Sequence, residues 1–344
     1  MRPHPMELKQ PMLTRYLSPI FSVVLLAIIA STSVAADRPN IVIILADDLG
    51  YGSLNSYGAE ETHIRTPNID RLATSGRRFT DANTPSSVCS PTRYGLLTGR
   101  YDWRTDQKHG VLNTTDPLHI ETSRSTIASL LKSAGYRTAA IGKWHLGYGS
   151  ERHDFRKPLS PGPLDIGFDY HFAVPQNHGD ASGVYVRNRA VVGLRSDRTV
   201  AAGTSPYGRE YMGIDAPQRV DLNVMDELTT DATDWLERQS DDTPFFLYFA
   251  PVAIHFPYTP SGATKDTSGI GLYGDWIHEL DLSIGRILDA LDRTKRLARG
   301  SRPILIQGES GVGKTAFAEV VHATGRNPGE PFIVINCASL PESL

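Results

Sequence analysis

The sequence has little cysteine, no strong excess of either charge and no internal repeat. Its 344 residues include two cysteines, Cys89 and Cys337, so a disulfide framework is excluded. Lysine and arginine number 35 against 38 for aspartate and glutamate, a net charge of −3, which gives no support to nucleic-acid binding through bulk positive charge. The apolar run from Ile20 to Ala30 is shorter than the roughly 20 residues that a membrane-spanning helix needs.

The composition is that of a globular protein. Hydrophobic residues make up 40% of the chain and charged residues 21%, which excludes wholesale disorder. The length predicts roughly two domains, at about 150 residues each. The 30 glycines and 23 prolines indicate many ordered loops rather than a fibrous or low-complexity chain.

The N-terminal residues have the pattern of a secretory signal peptide. Basic residues precede the run Ile20–Ala30, and small residues follow it at 33–36. Cleavage is expected after Ala35 or Ala36, so 1–36 is predicted to be a signal peptide. The mature chain is then secreted or periplasmic, without a stable membrane anchor. The alternative is that this segment stays uncleaved as an anchor.

Apolar runs that alternate with helical patterns predict an α/β fold. The runs Asn40–Ala46, Arg137–Ile141 and Pro244–Ala250 are typical of strands buried in a parallel sheet. Helices are predicted from Thr66-Pro67, over Ser123–Lys132 and Val224–Arg238, and through Trp276, Leu280, Ile284, Leu288 and Leu291. Residues 150–220 are expected to form long loops with short strands. The expected architecture is a mostly parallel central sheet flanked by helices.

Polar side chains follow each of the three apolar strands. Asp47 and Asp48 come after the first strand, Lys143 and His145 after the second, and His255 just beyond the third. Ligands of open α/β sheets bind outside the carboxyl ends of the strands, so these five side chains are expected to form one site.

Two motifs carry a resemblance to a known family. The segment Ser87–Gly99 contains Cys-Ser-Pro-Thr-Arg, and Gly135–His145 has the sequence GYRTAAIGKWH. The first resembles the sulfatase signature C-x-P-x-R with its following helix, and the second resembles the second signature of that family. The resemblance covers residues 38–293 and implies an alkaline-phosphatase-like sulfatase fold. It also implies hydrolysis of sulfate monoesters, with a sulfated small molecule or glycan as substrate.

The resemblance implies a nucleophile and a metal site. In the family the motif cysteine is oxidised by a formylglycine-generating enzyme, so Cys89 would become a Cα-formylglycine whose hydrated aldehyde attacks sulfur. Asp47, Asp48 and the modified Cys89 would bind Ca²⁺ or Mg²⁺, hard cations that prefer oxygen ligands.

The resemblance also implies roles for the other polar side chains. Arg93 would hold the formylglycine, and Lys143 would bind the sulfate. His145 would orient or deprotonate the nucleophile, and His255 would contact the sulfate and protonate the leaving oxygen. Outside these motifs, His178 in Gln-Asn-His-Gly either lines a substrate pocket or, as we expect, does not.

The sequence departs from the family after the last predicted helix. Sulfatases have two further metal ligands in an Asp-Asn pair after a late strand, followed by a sulfate-binding lysine, and no such pair follows Asp292. Residues 37–293 are therefore expected to be an incomplete sulfatase N-terminal domain, which is either active or inactive for lack of the later metal ligands. One alternative is a non-catalytic remnant that binds sulfated ligands at most. Another is a phosphoesterase of the same superfamily with unmodified Cys89.

A phosphate-binding motif lies near the C-terminus. A complete Walker A pattern, G-x-x-x-x-G-K-T, consists of Gly308, Gly313, Lys314 and Thr315. Such a loop cradles phosphates, with the lysine on the β and γ oxygens and the threonine on Mg²⁺. With residues 331–338 it resembles the beginning of the AAA+ domain of sigma-54-dependent transcription activators.

Residues 294–344 are therefore predicted to be a partial P-loop segment joined to the sulfatase part by a fusion. No Walker B acid, sensor or arginine finger follows the loop, so we expect only a vestigial ATP site. An ATP-dependent transcription activator would need those parts and a cytoplasmic chain. No nucleic-acid partner is expected.

Overall fold

A computed structural model of the chain describes residues 38–107, 110–205, 208–240 and 242–293, together with the backbone of 304–305. The predicted signal peptide lies outside the described residues. So do the predicted nucleotide-binding residues Gly308, Gly313, Lys314 and Thr315. None of the described helices combines the length and the apolar character needed to cross a membrane.

The described strands form a single sheet. They are β1 (Ile41–Ile44), β2 (Arg137–Lys143), β3 (Tyr170–Val174), β4 (Val186–Arg187), β5 (Ala190–Val191), β6 (Phe245–Ala250) and β7 (Ile304–Leu305). Their spatial order is β5-β4-β3-β2-β6-β1-β7. The pairs β1–β6, β1–β7, β2–β3 and β2–β6 are parallel, and only β3–β4 and β4–β5 are antiparallel. The prediction of a mostly parallel α/β sheet is confirmed.

Helices cover both faces of the sheet. They are α1 (Pro67–Ser75), α2 (Cys89–Thr98), α3 (Ile127–Ser133), α4 (Val224–Glu237) and α5 (Leu272–Arg293). One buried cluster contains apolar residues of α1, α4 and α5, and a second contains those of α2 and α3. Alternate residues of β6 enter the two clusters: Phe245, Leu247 and Phe249 the first, and Phe246, Tyr248 and Ala250 the second. Burial on both faces explains why this strand is a continuous apolar run.

The element boundaries differ from the sequence prediction where a polar side chain caps a helix. The helix expected over Ser123–Lys132 begins at Ile127. Thr126 Oγ1 accepts a hydrogen bond from the backbone N–H of Ser129 at 3.0 Å, and Ser129 Oγ accepts one from the Thr126 N–H at 2.9 Å. This reciprocal pair satisfies two N–H groups that the helix itself leaves unbonded, and it fixes the helix start.

The strand β7 joins the C-terminal segment to the same sheet. Its two residues precede the Walker A pattern in sequence, and they pair with β1 in the register Ile43–Ile304 and Ile44–Leu305. The strand β1 therefore has a parallel neighbour on each side, with β6 on the other.

Pairing continues beyond the carboxyl ends of β1 and β6. The N–H of Leu45 donates to Phe249 O at 2.9 Å, that of Asp47 to Ala253 O at 3.0 Å, and that of Ile254 to Asp47 O at 2.7 Å. These bonds hold the two post-strand segments side by side. They bring the polar residues that follow β1 and β6 to one edge of the sheet.

Gly142, in β2, lies directly against β6. Its φ is +121°, and a Cβ at this position would lie 2.0 Å from Ala250 O and 2.5 Å from Ala250 C. Only glycine fits here, because the neighbouring backbone leaves no space for a side chain and L residues rarely adopt this φ. The next residue, Lys143, is thereby held close to the end of β6.

Replacing Gly142 by alanine is expected to destabilise the fold by about 2–5 kcal/mol, through steric overlap with β6 and backbone strain. The measurement is the free energy of unfolding of the full chain in urea. Gly262→Ala is the matched control: nothing lies within 4 Å of its Cβ position and its φ is not positive. The control should change stability by less than about 0.5 kcal/mol. Similar losses in the two variants would contradict this explanation.

Candidate active site

Asp47 is the centre of a buried ionic cluster at the carboxyl end of β1. Its side chain is 4% exposed. Its Oδ1 accepts a hydrogen bond from Arg93 Nη2 at 2.9 Å, and its Oδ2 accepts one from Lys143 Nζ at 2.6 Å. Burial alone would raise the pKa of Asp47, but the charges of Lys143 and Arg93 outweigh burial and hold the pKa well below its usual range. The carboxylate is therefore ionised at neutral pH.

Cys89 lies beside this ion pair, as the first residue of α2. Its Sγ is 3.1 Å from Lys143 Nζ and 3.6 Å from Asp47 Oδ1. Burial, and then the negative charge of Asp47, raise the pKa of the thiol above its usual value. The preceding residue, Val88, provides no side-chain cap for the helix. The N-terminal N–H groups of α2 thus face the region of Cys89, which is favourable for an anion.

Arg93 ties α2 to the sheet. It lies one helical turn after Cys89 and is fully buried. Its Nη1 donates to the backbone oxygen of Lys143 at 2.9 Å and is 3.4 Å from Tyr248 Oη. The family resemblance gave Arg93 the role of holding the residue at position 89. The structure brings its guanidinium onto Asp47 and the end of β2.

The cluster carries one net positive charge. Lys143 and Arg93 are two cations against the single carboxylate of Asp47, and all three side chains are buried. An unbalanced positive charge in a poorly solvated site attracts an anion more strongly than the same charge at the surface. Together with the N-terminus of α2, it favours binding of an anion next to Cys89.

His145 provides an unpaired nitrogen in the same site. It is buried, has a φ of +55°, and its Nε2 is 2.9 Å from the backbone oxygen of Leu112. A carbonyl oxygen only accepts, so Nε2 carries the proton and Nδ1 has the free lone pair. Burial, and then the charge of Lys143, lower the pKa of His145 well below its usual value. Nδ1 is buried and has no hydrogen-bond partner among the described residues.

His255 and Asp48 face each other at a more open part of the site. The distance from His255 Nε2 to Asp48 Oδ2 is 3.8 Å, and the Asp48 side chain is half exposed. One possible ligand atom from each of Asp47, Cys89 and His255 lies within 4.8 Å of the other two. Asp48, predicted from the sequence as a metal ligand, is not in this group of three but lines the same cavity.

The residues present have the oxygen ligands that a hard divalent cation needs, but they would supply only part of its coordination shell. The carboxylates of Asp47 and Asp48 are the oxygen ligands that Ca²⁺ and Mg²⁺ prefer, although Ca²⁺ takes six to eight oxygens in all. Both oxygens of Asp47 already accept hydrogen bonds from cationic side chains. A bound cation would therefore share Asp47 with Lys143 and Arg93.

A cavity of about 460 Å³ opens above the cluster. It is lined by residues from the strand ends, α2 and the surrounding loops: Asp48, Ser87, Val88, Cys89, Val111, His145, Gln176, Asn177, Gly179, Arg209, His255 and Phe256. A volume of this size is typical of sites for small organic ligands. The cavity therefore has room for much more than a sulfate group.

The loop residues of this cavity were not predicted from the sequence. Gln176, Asn177 and Arg209 belong to the Gly- and Pro-rich stretch, where no periodicity marks which side chains face inward. His178, between two lining residues, is itself fully buried with its Nε2 2.7 Å from Pro257 O. His178 is not among the lining residues, which agrees with our expectation that it would not line a substrate pocket.

A buried arginine holds the loop that carries Gln176 and Asn177. Arg219 donates from Nη2 to His178 O at 2.6 Å and from Nη1 to Val184 O at 2.8 Å. The carboxylate of Asp180 lies 3.7 Å from Arg219 Nη2 and accepts the backbone N–H of Gln176 at 3.1 Å. The wall of the cavity is thus fixed by hydrogen bonds from a residue about 40 positions later in the chain.

Comparison with known protein families agrees with both sequence resemblances. The sequence profile of the Sulfatase family matches residues 39–299, and that of the Sigma-54 interaction domain matches residues 283–344. The first match covers most of the chain. The second confirms that the C-terminal part resembles a different family from the rest.

Curated relatives of this chain include an N-acetylgalactosamine-6-O-sulfatase and an arylsulfatase. The chain is 36% identical over 290 residues to an N-acetylgalactosamine-6-O-sulfatase of Bacteroides thetaiotaomicron, which covers 75% of this chain and 56% of that protein. It is 34% identical over 281 residues to human arylsulfatase A, covering 78% and 51%. The chain spans about half the length of these curated relatives.

Solved structures have the same fold. A chain from a study of the metabolism of multiple glycosaminoglycans by Bacteroides thetaiotaomicron aligns with a TM-score of 0.71 and 35% identity, over 78% of this chain and 62% of that chain. A sulfatase from Pseudoalteromonas sp. aligns with a TM-score of 0.60 and 22% identity, over 83% and 58%. The predicted alkaline-phosphatase-like sulfatase fold is confirmed. From the profile match, the sequence identities and the shared fold, we conclude that this chain belongs to the sulfatase family.

Proposed function

We propose that this chain hydrolyses sulfate monoesters of a glycan, after conversion of Cys89 to formylglycine. One observation carries the proposal: Cys89 lies at the N-terminus of α2, directly beside a buried cluster that has one net positive charge. A sulfate monoester is a monoanion, which suits that charge. The reaction consumes one water, breaks the S–O bond to the alcohol, and releases the alcohol and sulfate.

The side chains around Cys89 support this proposal. Lys143 Nζ, 3.1 Å from Cys89 Sγ, would bind a sulfate oxygen and stabilise charge that develops on it. His145 Nδ1, with its free lone pair, would accept a proton from a hydroxyl at position 89. His255, on the open side of the cavity, would donate a proton to the departing alcohol oxygen.

The proposal includes a modified residue and a metal ion that the family uses. Formylglycine would supply a hydrated aldehyde as nucleophile, and Ca²⁺ or Mg²⁺ at Asp47, Asp48 and residue 89 would neutralise negative charge. Asp47 would hold the metal and at the same time neutralise one of the two charges of Arg93 and Lys143. Asp48, half exposed at the cavity, would be a further carboxylate ligand of the metal.

We further propose the division and location of the chain. Residues 1–36 would direct export and be removed, 37–293 would form the incomplete sulfatase domain, and 294–344 would be a P-loop fragment with a vestigial ATP site. The mature protein would then be secreted or periplasmic. A formylglycine-generating enzyme would be its maturation partner.

The sulfated-glycan substrate class is supported by the relatives and the cavity. The relatives include enzymes named for N-acetylgalactosamine 6-sulfate, and one structural neighbour comes from glycosaminoglycan metabolism. The cavity is large enough for a sugar ring, and the amides of Gln176 and Asn177 are suitable partners for sugar hydroxyls.

One observation favours a second candidate, a non-catalytic sulfatase that binds sulfated ligands. Within the described ranges, the possible ligand atoms grouped with Asp47 come only from Cys89 and His255. The Asp-Asn pair of complete sulfatases has no counterpart after Asp292 in the sequence. A metal held by so few ligands would bind weakly.

The first prediction concerns turnover. The full chain, co-expressed with a formylglycine-generating enzyme and assayed with Ca²⁺, is expected to release sulfate from N-acetylgalactosamine 6-sulfate and from a chromogenic aryl sulfate. Cys89→Ala should lower the rate at least about a thousandfold, because the nucleophile is lost. Mass spectrometry of the peptide that contains residue 89 measures the modification in the same preparation. No turnover with formylglycine present would overturn the catalytic proposal in favour of the binding protein.

The second prediction separates the metal ligand from the structural ion pair. Ca²⁺ is expected to raise the Tm of the wild-type chain, and Asp48→Asn should lower the Ca²⁺ affinity about tenfold or more with little effect on the Tm without metal. Asp47→Asn should instead destabilise the metal-free protein by about 3–5 kcal/mol, because two buried cations lose their counter-charge.

Thermal unfolding with and without Ca²⁺ checks both statements independently of activity. An identical response of wild type and Asp48→Asn to Ca²⁺ would contradict a metal role for Asp48. An Asp47→Asn chain as stable as wild type would contradict the role of Asp47 as counter-ion.

A further inference from the structure

The cavity next to Cys89 extends well beyond the place of a sulfate group. Cys89 and the buried His145 both line it, and Cys89 lies beside the positive cluster. The amides of Gln176 and Asn177 belong to its wall. A second cation, Arg209, lines the same cavity but comes from a different loop, and it has no part in the proposed hydrolysis.

The backbone of Arg209 is hydrogen-bonded to Ser205. Thr204 and Glu210 form an antiparallel bridge on either side of it. The N–H of Ser205 donates to Arg209 O at 2.7 Å, and the N–H of Gly208 donates to Ser205 O at 2.8 Å. Ser205 Oγ, in a buried residue, accepts the N–H of Arg209 at 3.2 Å. The side chain of Arg209 therefore projects from an anchored backbone rather than from a free loop.

The guanidinium of Arg209 differs from most of those around it. Five arginines of the loop region are paired with carboxylates: Arg156 with Asp154, Arg187 with Asp231, Arg189 with Asp165, Arg195 with Asp215 and Arg219 with Asp180. Two others, Arg152 and Arg198, have no such pair among the described residues, but neither lines the cavity. Among the described residues, no carboxylate lies within ion-pair distance of Arg209, and its guanidinium makes no hydrogen bond. An exposed arginine that lines a cavity and has no partner among the described side chains is available to a ligand anion.

We propose that Arg209 determines substrate specificity by binding a second anionic group, so that the substrate is an acidic glycan with two or more anions. The proposal rests on the proposed function, since the first anion is the sulfate ester beside Cys89. The second is the carboxylate of a neighbouring uronic acid or a second sulfate, because a guanidinium binds either with two parallel hydrogen bonds. A sugar whose only anion is the sulfate beside Cys89 would leave Arg209 unpaired.

The test is a binding measurement that needs no catalysis. In a Cys89→Ala background, isothermal titration gives the Kd for three sugars: N-acetylgalactosamine 6-sulfate, its disaccharide with a uronic acid, and a disulfated N-acetylgalactosamine. At least one dianionic sugar is expected to bind about five- to twentyfold more tightly than the monosulfated one, and the preference should weaken at high salt. Adding Arg209→Gln should reduce the preference to about twofold or less and leave the Kd of the monosulfated sugar nearly unchanged.

Two further variants sharpen the result. Arg209→Lys keeps the charge but loses the forked geometry, so it should retain part of the preference. Arg198→Gln is the matched control, because Arg198 is an exposed arginine of the same loop region that does not line the cavity. Arg198→Gln should retain the full preference for the dianionic sugar, although it removes the same positive charge from the protein as Arg209→Gln.

The outcomes distinguish this inference from the function on which it rests. A gain confined to the uronate or to the second sulfate identifies which anion Arg209 binds. Equal binding of all three sugars, or an equal loss for all three in Arg209→Gln, overturns the role of Arg209 alone. No binding of any sugar overturns the sulfate site and, with it, this inference.

Discussion

The site depends on one carboxylate, Asp47, which holds two cations in place inside the fold. Lys143 comes from the end of β2 and Arg93 from α2, and without Asp47 their buried charges would repel each other. Because Asp47 neutralises only one of them, the cluster stays positive and can receive an anion. The same interaction therefore stabilises the junction of two strands and a helix and leaves a positive charge that favours binding of an anion.

The sequence predicted the sheet and the convergence of the polar strand ends, for physical reasons. Strands buried on both faces must be continuously apolar, so β1 and β6 were recognisable, and polar residues directly after such strands must meet at one edge. Asp47, Lys143 and Cys89 do come into contact. Helix starts were less predictable. The predicted helix over Ser123–Lys132 begins only at Ile127, because the side chain of Thr126 caps it there.

The outer wall of the cavity could not be predicted in this way. Gln176, Asn177 and Arg209 lie in loops whose shape is set by tertiary hydrogen bonds, such as those from buried Arg219, and not by a local pattern. Tyr248 was also not predicted as a site residue. Its ring matches the apolar pattern of β6, and the sequence gives no sign that its hydroxyl lies near Arg93. The residues around Asp47 are therefore predictable, because they follow buried strands. The residues of the outer cavity wall are not, because tertiary hydrogen bonds between distant loops determine their positions.

The pairing of β7 with β1 has a consequence for solubility. Among the described strands, β1 has β6 on one side and β7 on the other, and its four residues are all aliphatic. Without a neighbour at Ile304–Leu305, this strand would be the outer edge of the sheet, with unpaired N–H and C=O groups along an apolar surface. Such an edge is a template for association with other chains. The pairing of Ile304–Leu305 with β1 would then protect the strand that leads to Asp47 from aggregation.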